Sequence, residues 1–210
     1  MNAPPRGVYL IVDPAGHDRH GQDDLLERLL DAGVRVVQLR DKERIPARST
    51  TFARRLLALC RARGVPLLVN DDPVWARDLG ADGVHLGAHD GAIREARALL
   101  GPDAWIGASA YADLNRAREA IREGADYVAL GSLFPSVTKP HAPRASLDLI
   151  REARRTLERP VCAIGGIRPD NARSVMTAGA DWAAVISAVW DAPDPLAATR
   201  DLVAACTVGG

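Results

Sequence analysis

The sequence carries no net charge, no long apolar run and no paired cysteines. Lysine plus arginine number 27, and aspartate plus glutamate also number 27. Surfaces that work on nucleic acid or anionic membrane draw affinity from a basic excess, and the total shows none. A local patch can still sit inside a neutral sum. No stretch approaches the roughly 20 apolar residues of a membrane helix. The opening MNAPPRGVYLIVDP has an apolar run of about five residues, where a secretory signal needs about 7–15. Cys60, Cys162 and Cys206 are odd in number, far apart and in no Cys-x-x-Cys pair. They read as reduced, buried small hydrophobes, not as disulfides or zinc ligands. These absences point to a cytoplasmic protein.

Linkers and low-complexity stretches are missing too. What remains is ordinary globular composition, with 47% hydrophobic and 26% charged residues in a chain of 210. That length buries a large core in one domain or two.

One pattern recurs. A helix ends in Gly-Ala-Asp or Gly-Val, and a short apolar run follows. It appears as DAGVRVVQLR at 31–40, LGADGVHLG at 79–87, EGADYVALG at 123–131 and AGADWAAVIS at 178–187. The glycine suits the left-handed position that ends a helix. The apolar run reads as a parallel strand buried on both faces. Between the copies lie VYLIV at 8–12, PLLVN at 66–70, AWIGAS at 104–109 and PVCAIG at 160–165. That gives eight strand candidates.

Each gap holds a helical pattern. DDLLERLLDAG puts Leu25, Leu26, Leu29 and Leu30 on one face, with Asp23 as N-cap. A later segment groups Phe52, Leu56, Leu59 and Cys60 and stops at Gly64. Pro73 stands at the first position of another helix. Arginines crowd the outward faces, as on solvated surface. Eight strands alternating with eight helices predict a single (β/α)8 TIM barrel, an α/β fold spanning 1–210 as one domain, with about 1–6 and 207–210 as loose termini. A doubly wound open sheet competes, but no GxGxxG follows the first strand and the repeat runs evenly along the chain.

Such a barrel carries its site at the C-terminal ends of the strands. There the sequence sets Asp13, then Gln38-Leu39-Arg40-Asp41-Lys42, then Asn70-Asp71-Asp72. Gly87-Ala88-His89-Asp90, Ser109, Ser132 to Lys139, Gly165-Gly166 and Ile186-Ser187 follow. Arg40, Lys42 and Lys139 are cationic. Asp71 and Asp90 follow adjacent strands, and two carboxylates there suit Mg²⁺ completed by phosphate oxygens and water. Gln38, Arg40 and Lys42 have period two, so they share one face of their strand and aim into the barrel mouth. Gly165-Gly166 and the backbone near Ser187 suit a phosphate on bare N–H groups. The rim thus offers two anion sites and one metal site.

Plainer readings compete. Asp72 reads better as the cap of the helix at Pro73, and Asp90 is equally readable as a cap near Gly91. Gly165-Gly166 also suits simple turn chemistry. His85 and His89 lack further zinc ligands. No Ser-His-Asp or Cys-His arrangement is present.

Together these motifs resemble the thiamine-phosphate synthase family, also called thiamine-phosphate pyrophosphorylase. The likeness runs from Tyr9 to Ala188 through QLRDK at 38–42, VNDD at 69–72, HLGxxD at 85–90, GxSA at 107–110, PSVTK at 135–139, IGGI at 164–167 and ISAV at 186–189. It implies a transferase that joins hydroxymethylpyrimidine diphosphate to a thiazole phosphate, carboxylated or not, and releases pyrophosphate. The implied path ionises the pyrimidine first, and the thiazole nitrogen captures the resulting cation. Matched residue by residue, Gln38, Leu39, Arg40, Asp41, Lys42, Asn70, Ser109 and Lys139 hold the pyrimidine diphosphate. Asp71 and Asp90 hold Mg²⁺. Ser136, Val137, Thr138, Gly166, Ile186 and Ser187 hold the thiazole phosphate, and Lys139, Arg40 and Lys42 stabilise the leaving group. The implied partners are two phosphorylated small molecules, with no nucleic acid and no membrane; a homo-oligomer is compatible with the sequence.

The chain departs from the family's pattern in places. Ser136 replaces a usual threonine, Ala88 a frequent glutamine, Tyr111 a common histidine and Trp182 a small residue. The runner-up is the sister thiazole tautomerase, which needs a histidine where Tyr111 stands, and tyrosine is a poor base near neutral pH. A third reading is a barrel that senses thiazole phosphate without turnover; loss of the metal or pyrophosphate residues would mark it, and they are present.

Overall fold

A computed structural model describes residues 5–20, 24–42, 46–88, 90–135 and 144–207. Eight parallel strands close into one barrel in chain order. They are β1 (Gly7–Val12), β2 (Val36–Leu39), β3 (Leu67–Asn70), β4 (Gly83–Leu86), β5 (Trp105–Tyr111), β6 (Tyr127–Leu130), β7 (Val161–Ile164) and β8 (Trp182–Val185). Pairing of β1 with β8, Tyr9 opposite Ala184, closes the ring. The protein is a single (β/α)8 TIM barrel.

Ten helices lie among the described residues, two more than the alternation predicts: α1 (Pro14–Asp18), α2 (Leu25–Asp31), α3 (Pro46–Ala62), α4 (Pro73–Leu79), α5 (Ile93–Leu100), α6 (Leu114–Glu123), α7 (Leu147–Thr156), α8 (Pro169–Thr177), α9 (Ser187–Trp190) and α10 (Pro195–Cys206). The additions are the short α1 and α9. Asp13 caps α1 by accepting from Ala15 N, and Pro14 starts it. These two helices are too short for apolar periodicity to announce them.

Strand alternation divides the interior into two cores. Tyr9, Ile11, Val36, Leu68, Trp105, Tyr127 and Trp182 point inward and fill the barrel. Leu10, Val12, Val37, Leu39, Leu67 and Val69 point outward and pack with Leu25, Leu26, Leu29 and Leu56 of the helices. Trp182 points into the barrel interior. Its ring stands 5.5 Å from Tyr127 at 89° and 5.8 Å from Trp105 at 60°.

The recurring Gly-Ala-Asp has a mechanical role. Gly80 and Gly124 end α4 and α6 in the left-handed region. The aspartate then reaches the start of the preceding strand. Asp82 accepts from Leu67 N at 2.8 Å, Asp126 from Ile106 N at 2.8 Å and Asp181 from Val161 N at 2.9 Å. Each carboxylate satisfies an N–H within the first two residues of a strand, at the barrel bottom, where the ladder has no partner to offer.

The loose termini predicted at about 1–6 and 207–210 lie mostly outside the described residues; of the N-terminal stretch, Pro5 and Arg6 are described and make contacts. Trp182 Nε1 donates to Pro5 O, and Arg6 donates to the carbonyls of Met176 and Ala180. The N-cap predicted at Asp23 lies outside the described residues. Cys60, Cys162 and Cys206 are free and buried, and burial pushes the Cys60 thiol up to about 12. No helix among the described residues is long and apolar enough to cross a membrane.

Candidate active site

A cavity of about 390 Å³ opens at the C-terminal ends of the strands. Gln38, Arg40 and Lys42 line it from the end of β2, Asn70 and Asp71 from β3, and His85, Gly87 and Asp90 from β4. Ser109 and Tyr111 line it from β5, Gly165 and Gly166 after β7, and Ile186 and Ser187 after β8. The predicted rim residues therefore meet around one space. Leu39 and Asp41 do not line it. They alternate with Gln38, Arg40 and Lys42, so the pleat turns them away, and Leu39 is buried in the outer core. Ser136, Val137, Thr138 and Lys139 lie outside the described residues, as does His89.

The acidic pair is built by backbone turns. Asp71 follows β3 with φ +66°, a left-handed conformation rare outside glycine, asparagine and aspartate. Its N–H donates to His85 O at 2.8 Å, which ties the turn to β4. Asp90 does not cap α5, whose N-cap is Ala92 without a side-chain bond. Its carboxylate instead accepts from Gly87 N at 2.8 Å. Asp72 does cap α4, accepting from Trp75 N at 2.7 Å.

Asp71 and Asp90 lie within hydrogen-bonding reach of each other. Burial, and then the contact with Asp90, raise the Asp71 carboxyl from 3.8 to about 6; Asn70 and Lys42 partly offset this. The donor set consists of two hard carboxylate oxygen groups on the cavity wall. No group of three or more His, Cys, Asp or Glu side chains is found among the described residues. Two carboxylates without a full protein cage match what Mg²⁺ requires when phosphate and water complete its shell.

The raised Asp71 value fixes the sign of a pH effect in the metal-free protein. The folded pKa lies above the unfolded one, so the stability Asp71 contributes is complete below about pH 4 and lost as pH rises through about 6. Metal-free protein is expected to show this fall in thermal midpoint between those values, and Asp71→Asn to lack it. Thermal melts across the range check both.

At the cavity floor, Gln38, His85 and Ser109 join Tyr9 and Tyr127 in a hydrogen-bonded run that the sequence does not bring together. Gln38 Nε2 donates to Tyr9 Oη at 2.8 Å, and Tyr9 Oη bonds Tyr127 Oη at 2.9 Å. Tyr127 Oη meets His85 Nδ1 at 2.8 Å, and His85 Nε2 meets Ser109 Oγ at 3.0 Å. Both ring nitrogens of His85 are engaged, so it is no metal ligand. Burial lowers its pKa to about 4 and leaves it neutral near pH 7. The alternation of β1, β4 and β6 aims these side chains inward, but only barrel closure makes them neighbours.

Tyr111 stands at the wall with φ +54° and is 38% exposed. The Arg116 guanidinium lies 5.3 Å from its ring centre, and Arg116 Nε donates to Ser109 O at 3.0 Å. The pairing of β5 with β6 shifts register between Ser109 and Tyr111.

Fold and site define a barrel enzyme whose mouth gathers opposite charges around one cavity. A family model described as thiamine monophosphate synthase matches residues 8–189. The chain belongs to that family, and its activity is thiamine-phosphate synthesis. It is 52% identical over 202 residues to thiamine-phosphate synthase of Thiobacillus denitrificans, covering 96% of this chain and 95% of that one. It is 50% identical over 191 residues to thiamine-phosphate synthase of an Azoarcus species, covering 91% and 92%. Among solved structures, thiamine phosphate pyrophosphorylase from Pyrococcus furiosus superposes with TM-score 0.83 at 35% identity, covering 95% of each chain.

Proposed function

We propose that the protein condenses 4-amino-2-methyl-5-(diphosphooxymethyl)pyrimidine with hydroxyethylthiazole phosphate, or with its carboxylated form. The products are thiamine phosphate and pyrophosphate, with CO₂ from the carboxylated substrate. The observation that carries this reading is the meeting of Asp71 and Asp90 with Arg40 and Lys42 around one cavity.

The pyrimidine's CH₂–O bond breaks, and its electron pair leaves with pyrophosphate. The thiazole nitrogen's lone pair then forms the C–N bond. Such a path needs no nucleophile and no strong base from the protein; it needs fixed positive charge where the leaving group becomes anionic. Arg40, Lys42 and Lys139 supply that charge. Asp71 and Asp90 would hold Mg²⁺, which when bound neutralises pyrophosphate oxygens. Gln38, Asn70 and Ser109 orient the pyrimidine. Gly166, Ile186 and Ser187, with Ser136 to Thr138, hold the thiazole phosphate. The enzyme works in the cytoplasm, without nucleic acid or membrane partners.

Mixing both phosphorylated substrates with Mg²⁺ should give thiamine phosphate, and EDTA should stop its formation. Absence of product with Mg²⁺ would reject the reaction, and full activity in EDTA would reject the metal. Lys139→Ala should lower kcat by about 100-fold with little change in KM, because its contact strengthens as the leaving group gains charge. A change confined to KM would mean uniform binding instead.

A further inference from the structure

The buried polar run at the cavity floor has a direction, and the direction follows from counting hydrogens. Gln38 Nε2 can only donate, so Tyr9 Oη accepts from it. Tyr9 has one hydroxyl hydrogen and is 1% exposed. Its remaining partner among the described residues is Tyr127 Oη. A buried hydroxyl left without an acceptor is costly, so the Tyr9 hydrogen goes to Tyr127. The Tyr127 hydrogen then goes to His85 Nδ1. That nitrogen accepts, so the imidazole hydrogen sits on Nε2 and points at Ser109 Oγ. Ser109 Oγ is thereby an acceptor on its inner side. Its own hydrogen has no acceptor among the described residues, and the side chain lines the cavity.

We propose that Gln38, Tyr9, Tyr127 and His85 form a one-way hydrogen-bond relay that fixes Ser109 as a donor into the cavity. The ligand atom facing Ser109 must then be an acceptor. On the reaction proposed above, on which the ligand's identity rests, that atom is an acceptor of the pyrimidine diphosphate, a ring nitrogen or a diphosphate oxygen, and not the amino group. Tyr9, Tyr127 and His85 are positioning residues: they act through Ser109. Reversal of the Gln38 amide would reverse every bond in the run. Ser109 would then donate inward to His85 and present only lone pairs to the ligand.

The test begins with the protein alone. In ¹⁵N-histidine-labelled wild type at neutral pH, His85 is expected as the neutral Nε2–H tautomer. The Nδ1–H tautomer would overturn the relay. Ser109→Ala should retain Nε2–H, since Tyr127 still donates to Nδ1, while Tyr127→Phe should lose the preference. In turnover, Tyr127→Phe should raise KM for the pyrimidine diphosphate about tenfold, the scale of one hydrogen bond, with kcat little changed. Ser109→Ala should do the same, and the double variant should be no worse than Ser109→Ala. Additive losses would show that Tyr127 acts elsewhere and would also overturn it. A wild type with the Nε2–H tautomer that makes no thiamine phosphate would reject the proposed reaction and leave the relay supported.

Discussion

Asp71→Asn is expected to lower Mg²⁺-dependent turnover by at least about 100-fold, since even groups that merely support metal ligands cost about 10–100-fold when lost. The same change should leave the fold intact and make the metal-free protein more stable at pH 7.5. Both signs follow from the geometry. Asp71 is partly buried and faces Asp90, and its carboxyl is raised to about 6. Its charge therefore costs stability near neutral pH unless a cation compensates it. Asparagine keeps the shape, removes the charge and can donate to Asp90. It also tolerates the left-handed backbone at φ +66°, which alanine would strain. Asp90→Asn should lose activity similarly, while its amide oxygen still accepts from Gly87 N. Thermal melts in EDTA and a Mg²⁺ titration of turnover check the pair. If both variants keep wild-type Mg²⁺ dependence, the carboxylates do not hold the metal.

The barrel and its rim were legible because each rested on local pattern. Glycine-terminated helices followed by apolar runs marked the strands, and strand ends marked the mouth. Period two placed Gln38, Arg40 and Lys42 on one face, and they do line one cavity. The same rule, applied to the intervening Leu39 and Asp41, turns them away from it. Asp72 and Asp90 show the limit of local reading. Both stand just before a helix, but Asp72 caps the next turn and Asp90 reaches back to Gly87. Only the backbone path distinguishes them. The Tyr9–Tyr127–His85 run was illegible for a different reason. Tyr9 and Tyr127 are 118 residues apart, and β1 and β6 are not neighbours in the ring. They meet across the barrel's interior, where adjacency depends on closure, register and side-chain length together.

Gly107→Ala should be among the damaging single methyl additions in the barrel. A Cβ at Gly107 would lie 2.1 Å from Tyr127 Cζ and 2.3 Å from its Oη. Those distances require movement, and Tyr127 has nowhere to go. Its ring packs edge-on against Trp182 and tilted against Trp105, and its hydroxyl is bonded to Tyr9 and His85. Overpacking of this kind costs about 1–3 kcal/mol, and stranding buried polar groups costs a similar amount, so a loss of about 3–5 kcal/mol is expected. In a chain of this size that lowers the thermal midpoint by about 10 °C. The clash also predicts its own relief. In a Tyr127→Leu background the obstructing ring atoms are gone, so Gly107→Ala should cost much less there than in the wild type. Equal costs in the two backgrounds would mean that Gly107 is needed for its backbone and not for the space it leaves to Tyr127. Because Tyr127 supports His85 beneath Ser109, Gly107→Ala should also raise KM for the pyrimidine diphosphate at temperatures where the variant is still folded. The glycine of the GxSA motif thereby connects the packing of the barrel interior to the polarity of the cavity above it.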